Sequence, residues 1–260
     1  MDLRTMHPLD ADEVRILAYN LLLTQALMIA AGIAGTIVVV GVTSGDWAGA
    51  TIGLGWAAEI GASLTAIPPA AALGIGILVA LALLGIGHAA ERRALATKEG
   101  RASVMASRQG IDGELPRLPL PALIALVALI GFGEELAFRF MLLGGVACVL
   151  GLALSPLISG VIALVVSSAA FWLAHVRYRD RMTTALTLVL AATLGAVFLA
   201  TGSLLAVAVA HAVYDCLELI GSRRAMRRDP DYFGGPAPRH VMLDELEARV
   251  HEAPPRGEEP

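Results

Sequence analysis

Six long apolar runs constrain what this chain can fold into: Ile16–Val42, Ala70–Ala90, Leu118–Leu154, Leu157–His175, Thr183–Ala200 and Leu204–Ile220. A helix rising ~1.5 Å per residue needs about 20 mainly apolar residues to cross a hydrocarbon core ~30 Å thick. Each run meets or approaches that length. Composition agrees, with 57% hydrophobic residues, 16% charged residues and a mean hydropathy of +0.71. An ordinary soluble domain carries about a quarter charged residues. The expected fold is all-α, a polytopic transmembrane helical bundle of about six spans whose environment is the lipid bilayer. Net charge is only −4, with no basic block, so nucleic acid is not an expected partner.

The polar segments give the expected topology. Residues 1–13 are acidic (Asp2, Asp10, Asp12, Glu13), unlike the positive start of a signal peptide. Arginine and lysine cluster in residues 91–117, at Arg177, Arg179 and Arg181, and at Arg223, Arg224, Arg227 and Arg228. These clusters fall on one side only if Leu118–Leu154 is a single span, long, tilted or broken, with Gly131, Gly133, Gly144, Gly145 and Gly151 as places to kink. The positive-inside rule then puts both termini in the cytoplasm. The expected organisation is a cytoplasmic segment 1–15, a membrane-embedded domain 16–222 with its motif-bearing core at 118–220, and a mobile cytoplasmic tail 223–260. Val241–Val250 reads as a short amphipathic helix in that tail. Cys148 and Cys216 lie in apolar runs and read as packing residues.

Ionisable residues inside such runs are costly, at least ~2.5–3.5 kcal/mol each on insertion scales. Glu134 and Glu135 lie in the third run with Arg139 four residues beyond Glu135. On a helix Glu135 and Arg139 share a face and can pair. Glu134 lies ~100° round and is not captured by that pair. A carboxylate in that position suits a general base. In the fourth run Phe171 and His175 share a helical face. In the sixth, His211 and Asp215 stand one turn apart, so the carboxylate either fixes the imidazole tautomer or joins it in one cavity. His88, beside Glu91, Arg92 and Arg93, reads as interfacial. A carboxylate to activate water, imidazoles to bind metal or polarise a carbonyl, and a polar group for an oxyanion are the parts of a hydrolytic site.

In order, Glu134-Glu135-x-x-x-Arg139, Phe171-x-x-x-His175 and His211-x-x-x-Asp215 resemble the three motifs of the CAAX prenyl endopeptidase and bacteriocin-processing family. The approach Thr201-Gly202-Ser203-Leu204 is similar to that family's lead-in, and the resemblance covers about residues 118–220. It implies an intramembrane endopeptidase of a bacterial-type plasma membrane, acting on a membrane-associated or lipidated peptide or protein. By that resemblance Glu134 is the water-activating base, and Glu135, held by Arg139, supports it. His175 assists the base or binds metal, and His211 and Asp215 bind metal or stabilise the oxyanion. Phe171 supports the site. A divalent metal such as zinc, if bound, would take Glu134, His175 and His211, although the helical His-Glu-x-x-His signature is absent. The chain departs from the family pattern at Phe140, where glycine usually follows the motif arginine.

Upright helices with common end planes would not bring these residues together. Glu134 lies over ~20 Å along its run, His175 at the cytoplasmic end of its span and His211 nearer the outer end of its own. The same residues also admit a catalytically silent scaffold or immunity-type protein, or an ion-coupled transporter, since intramembrane Glu, Arg and His are normal there too.

Overall fold

The computed structural model describes residues 9, 11–108, 111–175 and 181–229. Among these there are helices and turns and no strand. In chain order they are α1 (Ala11–Ser44), α2 (Trp47–Thr51), α3 (Gly55–Leu64), α4 (Pro69–Ala94), α5 (Lys98–Arg108), α6 (Ile111–Glu114) and a 3-10 turn (Leu115–Arg117). There follow α7 (Leu120–Glu135), a π-helical stretch (Leu136–Gly144), α8 (Gly145–Gly151), α9 (Pro156–Ala174), α10 (Arg181–Thr201) and α11 (Leu204–Arg228). Six are long and apolar enough to cross a membrane: α1, α4, the continuous run Leu120–Gly151, α9, residues Met182–Thr201 of α10, and α11. The expected all-helical, six-span architecture is the one observed. The proposed helix Val241–Val250 and the arginines Arg177 and Arg179 lie outside the described residues.

Local chemistry sets the helix starts. Proline occupies the first turn of α4 and α9, where the missing N–H costs nothing. Ser203 caps α11 by accepting from the Ala206 N–H. Gly202 adopts φ +65, the left-handed turn between α10 and α11 that a side chain would strain. Ser63 of α3 clamps the same turn, donating to the Gly202 carbonyl at 2.7 Å and accepting from Leu204 N at 3.1 Å. Leu22, Leu27 and Val38 of α1, Leu78 and Leu81 of α4, and Leu157, Val161 and Val165 of α9 are exposed. In a bilayer these residues face lipid.

Two of the three arginine-rich segments lie at one end of the bundle. Leu17, Leu118, Leu123 and Leu219 form one buried cluster. It brings the starts of α1 and α7 and the end of α11 together. Arg223 donates to the Leu118 carbonyl at 2.6 Å and also lies 3.4 Å from that of Pro116. Helix α4 runs parallel to α11, with Gly76 against Val209 near one end and His88 3.9 Å from Glu218 near the other. So the segment after α4, the segment before α7 and the end of α11 all share one end of the bundle. At that end burial pushes the Arg117 guanidinium below its usual range, against the pull of Glu13 and Glu114.

Candidate active site

Two glycines let the neighbouring helices close on the stretch before Glu134. A Cβ on Gly131 would lie 2.9 Å from the backbone N of Ala212, so α11 packs directly on the α7 backbone. A Cβ on Gly133 would lie 2.6 Å from Gln25 Oε1 of α1. These glycines act as contact points. They lie within the continuous helix α7. Irregularity comes later, in the π-helical stretch Leu136–Gly144, a rare geometry found often at functional sites. Ser167 of α9 donates to the Phe138 carbonyl in that stretch at 2.7 Å.

The depth mismatch disappears because the helices do not share end planes. Arg223 is fixed to Leu118, and His211 lies ~18 Å up α11 from that contact, while Glu134 lies ~24 Å up α7. The run Leu120–Gly151 is ~46 Å long and overshoots the others. Helix α9 descends from Pro156, so that ~28 Å later His175 reaches the level of Glu134.

Glu134 Oε2 faces both imidazoles, 3.7 Å from His175 Nε2 and 4.0 Å from His211 Nε2. Both separations exceed hydrogen-bond length. This oxygen is buried and accepts no hydrogen bond from the chain. His175 caps α9, its Nδ1 2.8 Å from the Phe171 carbonyl. A carbonyl only accepts, so Nδ1 is the donor. The ring stacks on Phe171 at 4.2 Å with planes 27° apart, the shared face anticipated from their spacing.

Glu135 and Arg139 are both fully buried, with Arg139 Nη1 3.0 Å from Glu135 Oε1. The approach is off the hydrogen-bond direction, and none of the guanidinium nitrogens makes a hydrogen bond. At 3.0 Å the Coulomb attraction holds without a hydrogen bond, and the contact is an ion pair. Glu135 Oε1 also accepts from His211 Nδ1 at 2.7 Å. Glu135, not Asp215, therefore takes the tautomer-fixing position. Asp215 Oδ2 instead lies 3.4 Å from His211 Nε2, on the Glu134 side of the ring. Phe171 joins these groups: Arg139 lies over its ring at 4.3 Å, Phe138 meets it edge-on at 5.2 Å, and His211 lies 6.1 Å away.

All seven singled-out residues thus converge: Glu134, Glu135, Arg139, Phe171, His175, His211 and Asp215. The contacts that sequence reasoning did not supply are Glu135 to His211, Ser167 to Phe138, and Gln25 against Gly133. Phe140, in place of the family's usual glycine, packs edge-on against Phe198 of α10 at 6.4 Å. His88 is half-exposed and bonds to the Leu84 carbonyl, away from this cluster. Cys148 and Cys216 are free. Among the described residues no group of three or more His, Cys, Asp and Glu side chains is arranged to hold a metal ion.

Residues 116–217 match the family model described as type II CAAX prenyl endopeptidase Rce1-like. No curated protein and no solved structure matches the chain. The matched stretch contains all three motifs, while α1 to α5 lie outside it. Over residues 116–217 the chain is therefore similar to the Rce1-like family of type II CAAX prenyl endopeptidases.

Proposed function

We propose that the chain is an intramembrane endopeptidase that cuts a membrane-associated or lipidated peptide with a water activated by Glu134. The observation that carries this reading is the convergence of two imidazoles from separate helices on Glu134 Oε2, at 3.7 and 4.0 Å. Those gaps are too long for direct hydrogen bonds and suit a small bridging molecule. With its Nδ1–H given to Phe171, a neutral His175 presents a lone pair at Nε2. A water donating one proton to Glu134 and the other to His175 turns an oxygen lone pair towards the scissile carbonyl.

Glu134 takes the water proton as the oxygen attacks the carbonyl carbon, and a tetrahedral oxyanion forms. His211 faces the same space. With Nδ1–H held by Glu135, its Nε2 reaches the oxyanion as a donor only from the doubly protonated ring, with Asp215 beside it. When the C–N bond breaks, Glu134 returns the proton to the leaving amine, and the acid product gives the second water proton to that amine as it ionises to a carboxylate. Glu135 and Arg139 position His211 and Phe171 and touch no reacting atom. The basic end of the bundle, with both termini, is read as cytoplasmic in a bacterial-type plasma membrane.

The test is a cleavage screen with the purified protein, using a farnesylated CAAX peptide, its unprenylated counterpart and an unrelated membrane-anchored peptide. Cleavage of any of them that survives a zinc chelator supports the mechanism. Cleavage abolished by the chelator and restored by zinc overturns the metal-free step. No cleavage of any peptide overturns the peptidase reading.

A further inference from the structure

Helix α1 lies outside the matched stretch, yet it borders the site. Gln25, Met28, Ile29 and Gly32 follow helical spacing and turn one stripe towards α7 and the π-helical stretch. Met28 packs into the cluster that contains Phe138 and Phe171. Ile29 and Gly32 meet Gly133 and Leu136. Gln25 meets Gly133, the residue before Glu134.

Gln25 is only 2% exposed, and its Oε1 is buried without a hydrogen bond. Polar side chains between membrane helices ordinarily act by bonding across the interface. Gln25 has no such bond, so helix association does not account for it. A leucine at this position would enter the bilayer at far lower cost. Gly133 supplies the room that the amide needs. The chain keeps a polar group there and leaves its carbonyl unbonded beside the catalytic stretch.

We propose that Gln25 is a positioning residue that hydrogen-bonds the backbone of the substrate peptide next to the scissile bond. A carboxamide carries an acceptor and two donors in one plane. It therefore matches a backbone N–H and C=O whatever the side chains are. This reading rests on the peptidase proposal, and it assigns substrate alignment to a helix beyond the matched family domain.

The experiment compares wild type, Gln25→Leu, Gln25→Asn and Glu134→Ala on the farnesylated CAAX peptide. It also uses depsipeptides in which one backbone N–H near the cut is replaced by an ester oxygen. Gln25→Leu removes the bond while sparing the fold, and its KM rises about five- to tenfold with kcat little changed, the range of one hydrogen bond. One depsipeptide raises the wild-type KM by a similar factor and leaves Gln25→Leu unaffected. The chain has two glutamines, Gln25 and Gln109. Carbon-13 glutamine labelling therefore gives an amide band assignable by difference against Gln25→Leu. That band shifts when peptide binds the Glu134→Ala protein. A Gln25→Leu enzyme with wild-type KM, or a band indifferent to peptide, overturns the inference while leaving the peptidase reading intact. A wild-type protein no more active than Glu134→Ala sinks both.

Discussion

Glu135 and Arg139 offer a quantitative test of what holds the site together. Both are fully buried and lie 3.0 Å apart, and Arg139 has no hydrogen bond elsewhere. Glu135→Gln keeps an acceptor for His211 Nδ1 but leaves a buried guanidinium without its nearest counter-charge, a change that costs about 3–5 kcal/mol. Arg139→Met leaves a buried carboxylate that still accepts from His211, and costs less, about 1.5–3 kcal/mol. In the double variant neither charge remains, and a methionine thioether replaces the guanidinium over Phe171. It should unfold within about 1–2 kcal/mol of wild type, a coupling of at least ~2 kcal/mol. Reversible unfolding in mixed detergent micelles measures all four proteins. Additive losses, with the double variant the least stable of the set, would refute the ion-pair reasoning.

Two further variants test the geometry around Glu134. Gly131→Ala places a methyl 2.9 Å from the backbone N of Ala212 and 3.2 Å from the Ala208 carbonyl, and backbone cannot yield. It should cost about 1–3 kcal/mol and, by moving His211 away from Glu134, reduce turnover by up to ~100-fold. Gly61→Ala, with nothing within 4 Å, is the matched control and should be neutral or slightly stabilising in both assays. Ser167→Ala strips the 2.7 Å donor from the Phe138 carbonyl and should cost about 1–3 kcal/mol in the same unfolding assay.

Much of the fold was legible because bilayer crossing writes itself into composition. Runs of ~20 apolar residues announce spans, and arginine clusters announce which ends lie together. Local spacing also reaches as far as one helix: Glu135 with Arg139 and Phe171 with His175 meet as four-residue spacing requires. Relations between helices were not legible. Nothing in periodicity says that Glu135 reaches His211 on another helix, or that Arg223 clamps α11 to the start of α7 and so sets its height. The depth mismatch arose from giving all helices common end planes, whereas the run Leu120–Gly151 overshoots its neighbours and α11 continues to Arg228. The π-helical stretch has no hydrophobic period of its own, and nothing in the sequence marks Gln25 off from Asn20, Thr24 and Thr36 in the same run.

The account stands on Glu134 being the group that activates water. The most direct measurement is kcat/KM for wild type and Glu134→Ala on one cleaved peptide, with unfolding of both proteins followed in parallel. The account predicts a loss of ~100- to 10,000-fold with stability retained, the range for a positioned general base. Glu134→Ala cleaving at the wild-type rate would contradict it.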